Sequence, residues 1–299
     1  MLDRGGKRWR PALFLLICEA FGKDPEYCLD FAIIPEVVHN GTLVIDDIED
    51  SSEARRGKPC TYKIFGVDIA VNAGNAMYYL PLIPLMEQRD LIPTELLRDV
   101  YEIYVQEMIN LSIGQAMDIA WHRGIANADS IKEEDYLQMC AYKTGTLARM
   151  SAKIAAVLSG ADKKLVEKLG TFAESIGVAF QMQDDILDLT GKEFATKKGG
   201  LGQDITEGKR TLMIIRALKT ASHEDKKRLI EILNMHSAEQ TLRDEAIAII
   251  QKNNSFEYVK NKATQMVKQS WKEVDELLKP SEGKEKLKEF AEFLIERSM

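Results

Sequence analysis

Apolar residues recur at three- and four-residue steps over long parts of the chain, and this spacing is typical of α-helices with one buried face. One such run extends from Leu96 to Leu111 and another from Leu165 to Phe180. The eight prolines leave the stretch from 94 to 279 free of helix breakers. No segment shows the alternation of apolar and polar positions that predicts a half-buried strand. The pattern predicts an all-α protein of about a dozen helices.

Glycines mark breaks between the predicted helices, and no internal repeat of solenoid period divides the chain. We therefore expect a single domain over residues 1–299. From about residue 256 the sequence is rich in Lys and Glu, and Pro280 and Gly283 lie inside this tail. Residues 256–299 are predicted to be a peripheral pair of C-terminal helices with a solvated face.

The composition is that of an ordinary soluble globular protein, with 45% hydrophobic residues, 29% charged residues and a net charge of −7. This balance argues against a sequence-independent nucleic-acid binder, which needs a basic face to neutralise phosphates. We expect no nucleic-acid partner. An acidic chain can still bind an anionic substrate where its Lys and Arg are gathered together.

The basic N-terminus is followed by a short apolar run that Glu19 interrupts, so we do not expect a signal peptide. We found no stretch that approaches the roughly 20 apolar residues of a membrane span, and we expect no stable membrane insertion. The four cysteines form no C-x-x-C pair. Free thiols in a reducing cytosol, and hence a cytoplasmic location, are the expected outcome.

Two acidic clusters with the same spacing each follow an apolar helical run. Residues 46–50 read Asp-Asp-Ile-Glu-Asp and residues 184–188 read Asp-Asp-Ile-Leu-Asp. Residues four apart share a face of a helix, so the outer carboxylates of each cluster repel one another unless a cation neutralises them. Oxygen ligands without a nearby His or Cys favour Mg²⁺ or Ca²⁺. One such cluster alone is more often a solvated helix end, whereas two favour a metal site.

Three basic segments accompany the acidic ones. They are Gly-Gly-Lys-Arg-Trp-Arg-Pro from residue 5, Arg-Arg-Gly from residue 55 and Lys-Thr-Gly from residue 143. The guanidinium group of Arg can donate two parallel hydrogen bonds to phosphate oxygens, and the ammonium group of Lys supplies a point charge. Each segment alone could be a surface patch. An Arg doublet five residues after an acidic helix end, however, indicates a site for diphosphates.

These motifs together resemble the trans-isoprenyl diphosphate synthases, the polyprenyl synthetase family. The matching pieces include His-Asn-Gly-Thr-Leu-Val-Ile-Asp-Asp-Ile-Glu-Asp, Phe-Gln-Met-Gln-Asp-Asp-Ile-Leu-Asp and Asp-Ile-Thr-Glu-Gly-Lys-Arg-Thr, in family order between residues 5 and 211. The residues of the first cluster, together with Gly-Gln-Ala-Met-Asp from residue 114, are most similar to the corresponding motifs of geranylgeranyl diphosphate synthases. The resemblance implies a single-domain isoprenoid synthase bundle around a central cavity, a homodimer and a Mg²⁺ cofactor.

The implied reaction joins isopentenyl diphosphate head to tail with an allylic diphosphate (dimethylallyl, geranyl or farnesyl). The product would be a linear all-trans prenyl diphosphate, with geranylgeranyl diphosphate expected and a farnesyl or longer product as the alternative. A terpene cyclase usually lacks the Gly-Gly-Lys-Arg and Arg-Arg segments, and a non-catalytic partner subunit should have lost aspartates. Both rivals are therefore less favoured.

The resemblance also implies roles for individual residues. The metal ligands would be Asp46, Asp50 and Asp184, with Asp185 and Asp188 in support. The allylic diphosphate would be held by Arg55, Lys143 and Lys209. Isopentenyl diphosphate would be held by Lys7, Arg10, His39 and Arg56. Thr144 and Gln181 would offer dipoles near the allylic cation, and Lys198 or its neighbour Lys197 would close over a diphosphate. A lone His on an apolar helix is otherwise more often a core residue, and that alternative stays open for His39.

Product length would be set on the helix face below the first cluster. Gly41 and Thr42 are small and should let a growing chain pass. Tyr78 and Tyr79 occupy the matching floor positions on the next helix, although ordinary aromatic core packing is an equal alternative for them. Ser112 is small where some relatives carry a bulkier residue.

Overall fold

The computed structural model describes residues 2–125, 127, 130–191 and 200–296 of the chain. The described residues are almost entirely helical, which confirms the all-α prediction. The α-helices, numbered α1 to α15, are Trp9–Ala20, Pro25–Glu49, Thr61–Phe65, Val67–Ala76, Ile83–Glu87, Thr94–His122, Glu133–Cys140, Thr146–Leu158, Lys163–Thr190, Gln203–Thr206, Leu212–Thr220, His223–Met235, Gln240–Lys252, Ser255–Asp275 and Glu282–Glu296.

Three shorter features complete the description. Two-residue strands, β1 (Ala54–Arg55) and β2 (Lys58–Pro59), form an antiparallel hairpin after α2. Among the described residues, short 3₁₀-helices occur at Leu2–Arg4 and Leu80–Leu82. A π-helical turn, Ala141–Gly145, joins α7 to α8. Single π-turns inside helical segments are frequent at functional sites.

The chain separates into two compact units built from non-contiguous segments, and the expectation of a single domain over 1–299 stays a prediction. Unit 1 comprises residues 1–107, 147–173 and 274–290. Its core includes Phe14 of α1, Phe31 and Val38 of α2, and Leu169 and Phe172 of α9, all shielded from solvent. Helix α2 packs against α1 and α4.

Unit 2 comprises residues 108–146, 174–273 and 291–299. Its helices α10, α11, α12 and α13 pack against one another, with Leu229, Leu233 and Ile250 buried between them. The C-terminal helix α14 carries a buried apolar stripe, as at Val267, whereas Leu287, which is buried on α15, belongs to unit 1. The peripheral position expected for α14 and α15 stays a prediction.

Two of the helices begin at capping side chains that the sequence supplies. Asp24 accepts a hydrogen bond from the backbone N–H of Glu26 (2.9 Å) and Pro25 occupies the first turn of α2. Ser222 caps α12 in the same way through the N–H of Asp225 (3.1 Å). The helix that leads into the first acidic cluster is therefore fixed at its start.

Helix α2 is the one described helix whose length and composition would suffice to cross a membrane, with a mean hydropathy of 1.4. This differs from the sequence expectation that no stretch comes near that size. Of its most apolar window, 56% is buried inside the protein. A core helix passes the same test, so the observation is weak support for a membrane span.

Candidate active site

The first acidic cluster lies at the C-terminal end of α2, in unit 1. Asn40, Val44 and Asp47 follow one another at helical steps and are buried, so they form the inner face of the helix. Asp46 and Asp50 lie off that face: Asp46 is partly exposed and Asp50 is exposed. The outer carboxylates are therefore reachable from solvent, and the middle one is not.

Arg55 of the hairpin neutralises the buried carboxylate. Its Nη2 lies 2.6 Å and its Nε 2.7 Å from Asp47 Oδ1, and Nη2 lies 3.6 Å from Asp46 Oδ2. Burial lowers the pKa of Arg55, but the Asp47 carboxylate outweighs burial, and the net pKa is raised. Arg55 is thus fixed in its charged form beside the first cluster. The sequence analysis placed Arg55 with a diphosphate but did not assign Asp47 as its anchor.

Arg56 points to the other side of the hairpin and joins a buried polar network on α2. Its Nη1 donates to Asn40 Oδ1 (3.3 Å) and to the backbone carbonyl of Gly5. Asn40 donates in turn to the side chain of Glu36 (3.0 Å). Glu36 is 8% exposed and Asn40 is 1% exposed. The network connects the Gly-Gly segment, the Arg doublet and α2.

His39 lies within electrostatic range of three arginines. Burial first, and then the positive charges of Arg10, Arg56 and Arg55, lower its pKa well below the usual value. Arg10 is buried, and its guanidinium carbon lies 4.5 Å from the centre of the Trp9 ring. The structure therefore brings together three of the four residues that were expected to hold isopentenyl diphosphate.

Lys7, the fourth of that set, is exposed. It stands in the segment between the 3₁₀-turn and α1. On either side of it, Arg4 Nη1 donates to the carbonyl of Pro59 in the hairpin (2.7 Å) and Arg8 Nη2 donates to the carbonyl of Leu2 (3.0 Å). The segment that carries Lys7 is thus held at both ends.

The expected floor residues of unit 1 divide into two kinds. A methyl group at Gly41 would lie 2.9 Å from the carbonyl oxygen of Gly74 and 3.2 Å from the ring of Tyr78, so α2 and α4 approach closely there. Burial, followed by the charges of Glu49 and Asp46, raises the pKa of Tyr78 to about 12. Tyr78 therefore lies beside α2 and the acidic cluster. Tyr79 is 72% exposed, which excludes ordinary core packing for it.

Thr42, the remaining small residue below the first cluster, is half-buried. Its hydroxyl donates to the backbone carbonyl of His39 (2.8 Å), which ties its side chain to its own helix. The place of Thr42 in product length stays a prediction, as it does for Gly41.

The second acidic cluster lies in α9, in unit 2, and its members differ in exposure. Asp184 is partly exposed, whereas Asp185 and Asp188 are 5% and 3% exposed. Asp185 accepts hydrogen bonds on both oxygens, from Tyr136 Oη (2.7 Å) and from Gln181 Nε2 (2.8 Å). Burial and the nearby charge of Asp204 raise the pKa of Asp185 to about 7, although its two hydrogen bonds oppose the shift.

Asp188 holds the start of the short helix α10. Its Oδ2 accepts from the backbone N–H of Asp204 (3.0 Å) and its carbonyl accepts from the N–H of Gly202 (2.8 Å). Lys209 lies 2.6 Å from Glu207 and 3.5 Å from Asp204. The structure thus assigns Asp185 and Asp188 protein partners and leaves Asp184 as the more accessible carboxylate; direct metal binding by each of the three stays a prediction.

The π-turn presents Lys143 and Thr144 to this cluster. Lys143 Nζ lies 2.5 Å from Asp118 Oδ2, and the Thr144 hydroxyl donates to Gln181 Oε1 (3.0 Å). A side chain at Gly114 would overlap the backbone of Tyr142 and Lys143, so a glycine in α6 is required for this close approach. Asp118 is buried, and although burial raises its pKa, the charges of Lys143 and Lys209 bring the net pKa below the usual value.

The family model described as polyprenyl synthetase matches residues 1–250 of the chain. The chain belongs to the polyprenyl synthetase family. The family match ends just before α14, so the C-terminal helices lie outside it.

Relatives of the polyprenyl synthetase family cover almost the whole chain. It is 33% identical to a short chain isoprenyl diphosphate synthase of Methanothermobacter thermautotrophicus, over 99% of this chain and 88% of that protein. It is also 33% identical to a geranylgeranyl diphosphate synthase of Sulfolobus acidocaldarius, over the same shares. The crystal structure of a geranylgeranyl pyrophosphate synthetase from Pyrococcus horikoshii matches with a TM-score of 0.87 and 33% identity, over 98% of this chain and 87% of that one.

Two expected polyprenyl synthetase residues remain. Ser112 is exposed on α6 and its hydroxyl donates to the carbonyl of Met108 (2.9 Å), so it lies in unit 2, whereas the other expected floor residues lie in unit 1. Lys198, with Lys197, lies outside the described residues. Asp118 was not predicted as the partner of Lys143, although the Asp that ends the quoted Gly-Gln-Ala-Met-Asp motif was a usable signal.

Proposed function

We propose that this member of the polyprenyl synthetase family is a trans-prenyltransferase that condenses isopentenyl diphosphate with an allylic diphosphate to give geranylgeranyl diphosphate. The observation that carries the proposal is the repeated arrangement at the two acidic clusters. In each, the first aspartate, Asp46 or Asp184, is partly exposed while the second is buried and anchored. Relatives named geranylgeranyl diphosphate synthase support the product assignment.

The donor atoms fit Mg²⁺. In the described part of the chain, no three His, Cys, Asp or Glu side chains are gathered closely enough to bind a metal by themselves. Magnesium usually binds through one or two carboxylates, several waters and substrate phosphates. Asp46 and Asp50 would hold Mg²⁺ at the first cluster, and Asp184 would hold Mg²⁺ at the second. When bound, the metal supplies Lewis-acid stabilisation of the departing diphosphate.

Two sets of cationic side chains would each bind one of the two diphosphates. Arg55, Lys143 and Lys209 would bind the allylic diphosphate, and each is already oriented by a carboxylate of the protein. Arg10, Arg56 and the exposed Lys7 would bind isopentenyl diphosphate. His39 remains neutral among the arginines, so it would donate one hydrogen bond rather than supply charge.

Thr144 and Gln181 orient one another and would face the developing allylic cation. The Thr144 hydroxyl donates to Gln181 Oε1, and Gln181 Nε2 donates to Asp185. The amide is therefore fixed with its oxygen towards Thr144. Such a preorganised dipole stabilises positive charge without acting as a nucleophile. The final proton would leave to the departed diphosphate.

A homodimer and a cytoplasmic location complete the proposal. Unit 1 exposes several large apolar side chains on α3 and α4, and exposed apolar side chains on neighbouring helices support the proposal of a partner protein. These residues are Ile64, Phe65, Val67, Ile69 and Val71. All four cysteines are free and buried, as expected for a reducing compartment.

Product analysis tests the function directly. Purified protein is incubated with radiolabelled isopentenyl diphosphate and each allylic diphosphate in turn, with Mg²⁺ or with EDTA, and the products are separated by chain length. Mg²⁺-dependent twenty-carbon product is the expected result. A fifteen-carbon or longer product would move the assignment to a farnesyl or longer-chain synthase. The absence of elongation by folded protein with every starter would contradict the proposal and favour a cyclase or a non-catalytic subunit.

A further inference from the structure

The segment from Gly200 to Lys209 lies on the corner where α12 meets α13, within unit 2. Its helix α10 packs against both of those helices. The Thr206 hydroxyl donates to the carbonyl of Ser237 (3.0 Å), and the ring of His236 lies 3.2 Å from the carbonyl of Thr206. The segment carries Lys209 and the N–H groups that Asp188 binds, so its position matters for the second cluster.

Arg243 is the buried centre of that corner. It projects from the first turn of α13, is 4% exposed, and donates from Nη2 to the carbonyl of Ala238 (2.9 Å). Its Nε and Nη1 are buried without a hydrogen-bond partner among the described residues. Burying guanidinium N–H groups that have no partner in the described part of the chain is costly, and such groups in native proteins call for an explanation.

The guanidinium lies directly beneath the glycine turn that precedes α10. A methyl group at Gly200 would lie 3.1 Å from Arg243 Nη2 and 2.5 Å from Gln240 Oε1. A methyl group at Gly202 would lie 3.4 Å from Arg243 Cβ. Both glycines have positive φ angles, +118° and +80°, so the turn follows the surface of the arginine in a conformation that other residues rarely adopt.

Backbone hydrogen bonds connect this turn to the second acidic cluster. The Gly202 N–H binds the carbonyl of Asp188 (2.8 Å), and the Asp204 N–H binds the Asp188 carboxylate (3.0 Å). The Lys209 N–H binds the carbonyl of Asp204 (2.9 Å). A shift of the turn on Arg243 would therefore move the carboxylate of Asp188 and the ammonium of Lys209 together.

We infer that Arg243 is a positioning residue for the reaction: it supports the Gly200–Gly202 turn and thereby orients Asp188, Asp204 and Lys209. The inference rests on the proposed function for its consequence in turnover. Groups that orient metal or phosphate ligands through one intervening residue typically change affinity or activity by about 10–100-fold when they are removed.

Two variants and a matched control test this role. Arg243→Met keeps an extended side chain but removes its charge and its hydrogen-bond donors. Arg243→Lys keeps the charge but removes the planar guanidinium group. Arg228→Met is the control, because Arg228 also lies on this helix pair but pairs at the surface with Glu245 (2.7 Å). Hydrogen–deuterium exchange of residues 200–211 is measured first, followed by kcat, KM and the half-saturating Mg²⁺ concentration.

We expect Arg243→Met to speed exchange at the Gly202 and Asp204 amides and to lower kcat or raise the half-saturating Mg²⁺ concentration by about 10–100-fold. Arg243→Lys should recover part of the loss, and Arg228→Met should change neither readout. Unchanged exchange and unchanged Mg²⁺ dependence in Arg243→Met would overturn the inference, as would faster exchange spread over the whole chain with normal turnover per folded molecule.

If Arg243→Met does not fold, Gly200→Ala tests the contact between the turn and Arg243 from the side of the turn. Faster exchange confined to residues 200–211 would support the positioning role, and unchanged exchange there would overturn it. The exchange measurement needs no turnover. An inactive wild type would therefore contradict the proposed function and leave the exchange result to decide for or against the positioning role.

Discussion

The two acidic clusters share the order Asp-Asp-x-x-Asp, yet the protein secures them by different means. In unit 1 the buried Asp47 faces a cation, since Arg55 binds it at 2.6 Å and is itself partly exposed. In unit 2 the buried Asp185 faces neutral donors, the Tyr136 hydroxyl and the Gln181 amide. The first cluster is therefore a charged network open to solvent, and the second is a buried hydrogen-bonded one.

This difference shows that one motif can separate two tasks. In both clusters the first aspartate is partly exposed and the second is buried, so the i position of the helix would supply a metal ligand and the i+1 position supplies an anchor. In the first cluster the anchor also fixes a cation that would bind diphosphate. In the second cluster the anchor instead fixes Gln181, a dipole that would face the allylic cation.

Removing the partly exposed first carboxylate of each cluster should have the largest effect. Asp46→Ala and Asp184→Ala should each lower kcat by about 100-fold or more, because each would remove a carboxylate that holds Mg²⁺, and with it the positive charge that stabilises the departing diphosphate. Circular dichroism should show the same helix content as wild type. Glu53→Ala is the control, since that exposed carboxylate pairs with Lys63 (2.7 Å) away from the cluster. Near wild-type turnover in either Asp variant would refute its place in the metal site.

Neutralising the two anchors should separate the clusters by their partners. Asp47→Asn and Asp185→Asn should each lower the free energy of unfolding by about 1–3 kcal/mol, because the first removes the charge that Arg55 binds and the second leaves the donors of Tyr136 and Gln181 poorly matched. In double-mutant cycles, Asp47→Asn should couple to Arg55→Gln, and Asp185→Asn should couple to Tyr136→Phe.

The salt dependence of those variants sharpens the same comparison. The stability loss in Asp47→Asn should shrink at high salt, since Arg55 is partly exposed, and the loss in Asp185→Asn should not. Urea unfolding at low and high ionic strength measures both, with the exposed Asp30→Asn as a control. Equal salt dependence in the two variants would argue against a charged first anchor and a neutral second one.

Product length should change when the exposed aromatic residue is removed. Tyr79→Ala should lengthen the products by one or more isoprene units without lowering the free energy of unfolding, because Tyr79 is 72% exposed. Tyr78→Ala is the informative contrast, since Tyr78 packs on Gly41 and should cost stability as well. A product spectrum in Tyr79→Ala identical to that of wild type would remove Tyr79 from the floor.

The smallest effect concerns pH. His39 has a lowered pKa in the folded protein, so the unfolded chain binds a proton at this residue more readily. The contribution of His39 to the free energy of unfolding is therefore complete above pH 6.5 and is lost as the pH falls below that value. His39→Gln should remove a slope of up to about 1.4 kcal/mol per pH unit on the acid side. Urea unfolding of ligand-free protein at pH 7.5 and 5.5 measures it, with exposed His223→Gln as the control. If His39→Gln left the pH dependence of the free energy of unfolding unchanged, His39 would be charged in the folded protein.

The helical fold and the aspartate clusters were predictable because both depend on local spacing. Helix α9 follows from its apolar period, and Asp46 and Asp184 follow from a motif written in five consecutive residues. The anchors were not predictable in the same way. Arg55 and Asp47 are close in sequence, but Tyr136 meets Asp185 across 49 positions, and Arg243 lies beyond every quoted motif. Contacts of this kind depend on how helices pack, which a single sequence does not reveal.

The four buried thiols give this protein a built-in set of reporters of local opening. Burial and the charge of Asp47 raise the pKa of Cys60 to about 11, and burial and the charge of Asp185 raise the pKa of Cys140 well above its usual value. Only a thiolate reacts with an alkylating reagent, so both sites should resist labelling until their surroundings open. The labelling rates of Cys60 and Cys140 would therefore time the opening of the two clusters separately, without any introduced probe.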